Sequence, residues 1–304
     1  MNRTGRPHEV TPTPLRVDCL AECKSIAGES PIWSVAESCL YFVDHQGRKV
    51  HRYRPGKNLE TFVLPGVVTA ITPRRHGGLI ICLHQTFAFF NPDSGKLEML
   101  TNPEPQLPGN RFNDAKCDRR GRLWAGTMGD EAWSEPCGNL YRLGSDLRPV
   151  KIVEGVRCSN GLGWSPDNRT LYFAESFAFK IHAYEFDPVK GEISNHRLFA
   201  SLDPAAGAFP DGLTIDSQGY LWNAQPIFGR IVRYDPQGRI ERIVETPVSR
   251  PTSCIFGDAD LGTMYVTSAT QTLSAADIAQ EPLAGGLFAF RPGITGLPEV
   301  PFDG

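Results

Sequence analysis

Two kinds of apolar run alternate along the chain, and the pair recurs six times. The first kind contains three to five aromatic, β-branched or aliphatic residues, and the second follows about ten residues later or somewhat more. The first runs start at positions 39, 79, 122, 170, 220 and 263, and the second at 50, 87, 140, 181, 231 and 287. Turn formers such as NPDSG (91–95) and DPVKG (187–191) follow most second runs. This pattern predicts short β-strands separated by tight turns.

A further strand-like stretch closes most repeats, so each repeat predicts a four-stranded antiparallel unit of roughly 40–50 residues, the size of a propeller blade. We therefore predict an all-β, six-bladed β-propeller. The sixth repeat lacks a clear fourth strand, whereas residues 15–22 form a spare strand ahead of the first repeat. We expect this N-terminal strand to complete the last blade and close the ring, which removes open sheet edges.

Composition indicates where the domain begins and argues against several kinds of partner. We expect a disordered tail over residues 1–14, which are polar and rich in proline and threonine, and one propeller domain over 15–304. Lys and Arg number 31 against 34 Asp and Glu, with no block of like charge, which argues against nucleic acid or a charged membrane surface as partner. No apolar run approaches the roughly 18 residues of a membrane helix, and no hydrophobic segment near the N-terminus could serve as a secretion signal.

The eight cysteines are scattered, and the one close pair, Cys19 and Cys23, has neither a second pair nor nearby histidines to form a zinc site. A reducing, cytoplasmic location is the simplest interpretation. We expect a monomer or weak dimer, because a closed propeller need not associate.

One position of the innermost strand is polar in most repeats. Registering the six repeats on one another aligns Glu29, Val68, Asn113, Asn160, Asp211 and Thr252. Because the inner strands line the channel of a propeller, these residues should form a ring at one level. Two carboxylates and two carboxamides in such a ring suit a hard or borderline divalent cation.

Turn chemistry is the alternative explanation for two members of this ring. Asn160-Gly161 and Asp211-Gly212 are dipeptides typical of tight hairpins. Both, however, lie in loops that enter a strand rather than between two strand runs, and Glu29 has the same phase without being a turn former. The pattern therefore favours a functional role for the ring.

Several motifs in order along the chain resemble the family of SMP-30, gluconolactonases and regucalcin-like sugar-lactone lactonases. They are GESPIW (28–33), RFND (111–114), GRLWAGTM (121–128), SNGL (159–162) and FPDGL (209–213). The likeness runs from about residue 15 to 300. It implies a metal-dependent hydrolase that opens a sugar lactone to the aldonic acid. Matched residue by residue, it implies metal ligands at Glu29, Asn160 and Asp211, and substrate-binding residues at Arg111, Asn113 and Glu131.

This chemistry needs a polarised carbonyl and an activated water, both of which one bound divalent cation can supply. Asp211 is the candidate catalytic base. Oxygen ligands could hold Ca²⁺, Zn²⁺, Mn²⁺, Mg²⁺ or Fe²⁺, so the cation stays open. Two carboxylates leave such a site near neutral, which suits a neutral lactone better than a phosphate ester. Phe177, Phe179 and Phe228 lie in loops and could either face the channel mouth or pack between blades.

Two other functions stay open at this stage. One is a related metal-dependent esterase or phosphotriesterase, and the other is a non-catalytic propeller that binds a protein partner, because fold alone does not define function. The sequence contains no Gly-x-Ser-x-Gly elbow, no His-x-His or His-Glu-x-x-His spacing and no P-loop or dinucleotide fingerprint, so serine-esterase and nucleotide chemistry are unsupported.

Overall fold

Six antiparallel sheets of four strands each surround one central channel in the computed structural model, which describes residues 10–304. The chain is thus a six-bladed β-propeller, as the repeats predict. The strands are, by blade, β2 (Gly28–Ser34), β3 (Cys39–Asp44), β4 (Lys49–Tyr53) and β5 (Glu60–Val63) in blade 1; β6 (Val68–Pro73), β7 (Leu79–Leu83), β8 (Thr86–Phe90) and β9 (Leu97–Met99) in blade 2; β10 (Asn110–Cys117), β11 (Leu123–Gly129), β12 (Gly138–Leu143) and β13 (Pro149–Val156) in blade 3; β14 (Ser159–Trp164), β15 (Thr170–Glu175), β16 (Lys180–Asp187) and β17 (Glu192–Ser201) in blade 4; β18 (Leu213–Ile215), β19 (Leu221–Gln225), β20 (Arg230–Tyr234) and β21 (Ile240–Glu245) in blade 5; and β22 (Pro251–Gly257), β23 (Thr263–Ser268), β24 (Leu287–Phe290) and β1 (Asp18–Ala21) in blade 6.

Helical structure is sparse in residues 10–304. It consists of two 3₁₀ turns, Ser176–Ala178 and Pro204–Ala206, and one short helix, α1 (Ala275–Gln280). No helix within this range is long and apolar enough to cross a membrane. All eight cysteines lie in the described range and are free thiols.

The N-terminal strand closes the ring, as predicted. Strand β1 pairs antiparallel with β24, with Asp18 opposite Ala289 and Cys19 opposite Phe288. Of the predicted disordered tail, residues 1–9 lie outside the described residues. Residues 10–14 form no strand, and the Thr13 N–H donates a hydrogen bond to the Ile243 carbonyl at 2.8 Å. The chain therefore runs along blade 5 before it enters blade 6.

The core lies between the blades, and the second strand of a blade shows why its sequence is apolar throughout. All five residues of β7 are buried. Leu79 and Ile81 pack towards blade 1, whereas Ile80 and Cys82 pack towards blade 3. Since alternate side chains of a strand point to opposite faces, a strand covered on both faces needs apolar residues at every position.

The C-terminal segment crosses the end of the channel at which the inner strands finish. Gly296 forms a β-bridge with Asp216 of blade 5, and Glu299 pairs with Lys116 of blade 3 at 2.9 Å. Phe302 is fully buried in the core between blades 2 and 3. This segment thus lies over the ends of inner strands of blades 3 and 5, and we call the opposite end of the channel the open mouth.

Candidate active site

Irregular pairing at the open mouth turns the predicted ring residues into the channel. The register shifts between Glu29 and Ile32 in β2 and between Ser159 and Leu162 in β14, with comparable shifts in β6, β10 and β22. Ser30 has a φ of 48°, in the left-handed region. An extra residue in one strand breaks the alternation of side chains and re-aims them. Five inner strands use this device at the level of the ring.

A cavity of about 400 Å³ lies at this mouth. The ring members that line it are Glu29, Asn113, Asn160, Asp211 and Thr252. Arg111 lines it as well, whereas Val68 is buried and is not among its lining residues. Glu131 is exposed and also lies outside the lining. The structure thus brings together five of the six predicted site residues and leaves Glu131 apart.

Two glycines beside the ring allow neighbouring inner strands to approach closely. A Cβ on Gly161 would lie 2.6 Å from the Leu213 nitrogen, and one on Gly212 would lie 2.0 Å from Ser253 Oγ. Neither glycine has a left-handed φ, and Gly161 lies inside β14. Their role is close packing around the channel and not a hairpin turn, which removes the turn-based explanation of these dipeptides.

Hydrogen bonding distinguishes the two asparagines of the ring. Asn160 Nδ2 donates to Ser176 Oγ at 3.1 Å, and Ser176 Oγ donates to the Pro210 carbonyl at 2.7 Å. Asn160 Oδ1 is buried and has no partner. In Asn113, by contrast, Nδ2 donates to the Ser159 carbonyl at 2.8 Å and Oδ1 accepts from Arg111 Nη1 at 2.8 Å. Asn160 therefore presents a free oxygen to the channel, while the amide of Asn113 is occupied.

The surroundings of the carboxylates at the ring disfavour their ionised form. Burial, and then the neighbouring Asp211 and Asp114, raise the pKa of Glu29 well above its usual value. Burial and Asp114 do the same for the pKa of Asp211. Burial also raises the pKa of Asp114 to about 6, against the opposing charge of Lys116. Neighbouring like charges disfavour joint ionisation of these carboxylates, and a cation bound among them would favour it.

The donor set fits a divalent cation. Asp211 Oδ1, like Asn160 Oδ1, is a buried oxygen with no hydrogen-bond partner, and an unsatisfied buried acceptor costs about 1–3 kcal/mol. Within residues 10–304 no three His, Cys, Asp or Glu side chains converge to hold a metal ion. A three-residue site here thus requires the carboxamide oxygen beside the carboxylates of Glu29 and Asp211, an all-oxygen set suited to a hard cation.

An acidic residue that the sequence reasoning missed orients Arg111. Arg111 is buried, and its Nε donates to Asp130 Oδ1 at 2.8 Å. Asp130 immediately precedes the predicted Glu131 in the same loop, and both residues are exposed. Ser176 and His45 also line the cavity and were not predicted from the sequence. Burial, followed by the charge of Arg111, lowers the pKa of His45 to about 3, so its imidazole is neutral.

The walls of the cavity differ from side to side. Blades 3 to 5 contribute Trp133, Phe177, Phe179, Phe209 and Ile227, and blades 1 and 6 contribute His45, Arg250, Gln271 and Thr272. Phe177 and Phe179 therefore face the mouth, one of the two locations the sequence allowed. Phe228 instead lies beside a separate shallow depression, with the Arg230 guanidinium 4.3 Å from the centre of its ring.

Comparison with known proteins gives a consistent assignment. Residues 27–270 match the model of the SMP-30/gluconolactonase/LRE-like region. Regucalcin of Xenopus laevis is 35% identical over 297 residues, which cover 95% of this chain and 99% of the relative. The YvrE protein of Bacillus subtilis (strain 168), whose name assigns it provisionally as a sugar lactone lactonase, is 35% identical over 288 residues, 93% of this chain and 97% of its own.

Solved structures agree. A calcium-binding regucalcin from Agrobacterium tumefaciens superposes with a TM-score of 0.90 at 25% identity, covering 97% of this chain and 99% of the other. A luciferin-regenerating enzyme gives 0.89 at 30% identity, covering 95% of this chain and 100% of the other. From its sequence, its fold and these likenesses, the chain belongs to the SMP-30/gluconolactonase/LRE-like family, whose named members include lactonases.

Proposed function

We propose that this protein is a metal-dependent lactonase that opens a sugar lactone to the aldonic acid, with one divalent cation held by Glu29, Asn160 and Asp211. The observation that carries the proposal is that the carboxylates of Glu29 and Asp211 and the carboxamide of Asn160 line one cavity at the open mouth, with unpartnered oxygens on Asn160 and Asp211. Membership of a family with named lactonases supports the same reaction.

Each residue of the site has a distinct part in the proposed hydrolysis. A divalent cation, when bound, polarises an ester carbonyl and lowers the pKa of water. Asp211 accepts the proton of the attacking water, a contribution of typically about 10²–10⁴-fold. Ser176 accepts from the amide of Asn160 and so holds its oxygen towards the channel.

The substrate contacts in this proposal come from the rim. Arg111, oriented by Asp130 and Asn113, donates hydrogen bonds to substrate hydroxyls or to the lactone ring oxygen. Asn113 contacts the substrate after its bond to Arg111 rearranges. Asp130 acts through Arg111, and Glu131 of the same loop stays a proposed substrate contact.

The identity of the cation rests on the donor chemistry. Three oxygen donors, two of them anionic, suit Ca²⁺, Mg²⁺ or Mn²⁺, and also accept Zn²⁺ or Fe²⁺. The relative from Agrobacterium is titled a calcium-binding protein, which supports a cation in this family. A reducing cytoplasmic location agrees with the eight free thiols.

The test is hydrolysis by metal-stripped and reloaded protein. A panel of pentono- and hexonolactones, with an aryl ester and a phosphotriester alongside, is assayed by acid release after chelation and after addition of each cation. We expect lactone turnover only with metal, and none in Asp211→Asn. The matched control, Asp260→Asn, changes an exposed aspartate of blade 6 that pairs with Arg291 and should keep full activity.

Three results would overturn the proposal. Lactone turnover that survives complete chelation would exclude metal dependence. Turnover of the ester or phosphotriester, with no turnover of any lactone, would favour the esterase or phosphotriesterase alternative. Absence of turnover with every substrate and cation would favour a non-catalytic propeller.

A further inference from the structure

One half of the cavity mouth is apolar and continuous across three adjacent blades. We call this surface the apolar arc; it consists of Trp133, Phe177, Phe179, Phe209 and Ile227. Trp133 lies in the loop after β11 of blade 3, and the two phenylalanines of blade 4 lie at the 3₁₀ turn after β15. Phe209 precedes β18 and Ile227 follows β19, both in blade 5.

Three of the four rings of the apolar arc pack against one another. Trp133 stacks on Phe177 with ring centroids 6.1 Å apart and planes 24° from parallel. Phe177 in turn contacts Phe209, with centroids 5.5 Å apart. Trp133 Nε1 donates to the Asp130 carbonyl at 2.7 Å, which satisfies its polar atom within the loop. The indole thus presents an apolar ring with no unpaired donor, beside the residue that orients Arg111.

Two members of the arc have backbone conformations that their side chains disfavour. Ile227 has a φ of 74° and Phe179 a φ of 59°. A positive φ is a genuine outlier for a β-branched residue, and such strain clusters at functional sites. Ile227 is nevertheless 43% exposed, so burial in the core does not account for its placement. The strained turn holds an apolar side chain at the mouth of the cavity.

The facing half of the mouth is polar. Its polar side chains are His45 of blade 1 and Arg250, Gln271 and Thr272 of blade 6, and two alanines, Ala27 and Ala269, also line it. A lactone with hydroxyls on every side would direct some of them at the apolar arc, where they would lose hydrogen bonds to water without replacement. An apolar substituent directed there would instead leave water favourably, by about 25 cal/mol per Å². A cavity of about 400 Å³ is within the range that holds ligands of drug size.

We propose that the substrates of this site include lactones that carry an alkyl or aryl substituent on the ring, seated on the apolar arc. The lactone oxygens and any hydroxyls then face Arg111, His45 and Arg250. This inference rests on the proposed lactonase function and names its substrate class. In the reaction, water adds its oxygen to the carbonyl carbon, the ring C–O bond breaks, and the released alkoxide takes a proton from that water; the substituent takes no part.

The experiment compares δ-lactones that differ only in their alkyl chain, from δ-valerolactone through δ-hexalactone and δ-octalactone to δ-decalactone, with D-glucono-δ-lactone as reference. We expect kcat/KM of the metal-loaded wild type to rise by up to about fourfold for each methylene that the arc covers, which corresponds to about 0.8 kcal/mol. A series that does not rise, with glucono-δ-lactone still hydrolysed, overturns the inference and leaves the proposed function standing.

Two variants locate the effect. Trp133→Ala and Phe177→Leu change half-buried positions outside the inter-blade core and should flatten the rise in kcat/KM with chain length. The matched control, Phe228→Ala, changes an exposed aromatic outside the cavity and should keep the wild-type rise. A rise retained in both arc variants overturns the inference. Absence of turnover of every lactone by metal-loaded protein overturns the proposed function, and this inference with it.

Discussion

Replacing Asp211 with asparagine should raise the thermal stability of the metal-free protein and abolish its stabilisation by metal. Asp211 is buried, its Oδ1 has no hydrogen-bond partner, and its charge lies near those of Glu29 and Asp114. In metal-free protein the substitution removes a buried charge that no cation compensates. In metal-loaded protein it removes an anionic ligand.

The expected magnitudes follow from chain length and linkage. For 304 residues, an unfolding entropy of about 2.1 cal/mol/K per residue gives about 0.6 kcal/mol/K, so 1 kcal/mol shifts the Tm by about 1.6 °C. A cation at 100 times its Kd stabilises the wild type by about 2.7 kcal/mol, or about 4 °C. Neutralising this uncompensated buried charge is worth about 1–3 kcal/mol, so metal-free Asp211→Asn should melt about 2–5 °C above metal-free wild type.

The assay is thermal unfolding at pH 8 followed by tryptophan fluorescence, with chelator or with each cation in turn. Asp211→Asn should show a metal-dependent shift of less than about 1 °C. Asp260→Asn, which is exposed, should keep both wild-type melting temperatures. A metal-dependent shift of wild-type size in Asp211→Asn, or a metal-free variant less stable than metal-free wild type, would refute the assignment of Asp211 as a ligand.

Two further predictions concern the neighbours of this site. Gly212→Ala should lower the Tm by about 2–5 °C, because its Cβ would meet Ser253 and overpacking typically costs about 1–3 kcal/mol; Gly109→Ala, which has open space and no left-handed φ, is the control. For Asp114, burial raises the pKa from 3.8 to about 6, so the folded state holds this proton more tightly than the unfolded state does. The favourable contribution of this protonated carboxyl to stability is full below about pH 4 and is lost as the pH rises through 6. In thermal unfolding, metal-free Asp114→Asn should therefore be as stable as wild type at pH 4 and more stable by up to about 3 kcal/mol at pH 8. An equal difference in stability at both pH values would contradict this.

The fold was predictable because blade formation depends on local periodicity. A continuous apolar run such as β7 indicates a strand covered on both faces, and turn residues mark its ends. The missing fourth strand of the last repeat and the spare strand ahead of the first already implied the pairing of β1 with β24. Alignment of the repeats also predicted that Glu29, Asn160 and Asp211 lie at one level, because equivalent positions of a closed, repeated structure meet around its axis.

Other features depended on contacts between residues far apart in sequence. Asn113 and Asn160 occupy the same repeat position, and only their hydrogen bonds to Arg111 and Ser176 show which oxygen is free. Asp130 and Glu131 are adjacent, exposed acids, and only the hydrogen bond from Arg111 to Asp130 shows which of them orients that guanidinium.

The position of the C-terminal segment and the apolar arc likewise depend on where distant segments meet. Glu299 pairs with Lys116 of blade 3, and Trp133 meets Phe177 from the next blade. Periodicity along one chain reports which face of a strand is buried. It carries no information on which loops of different blades converge, because that depends on the packing of whole blades around the axis.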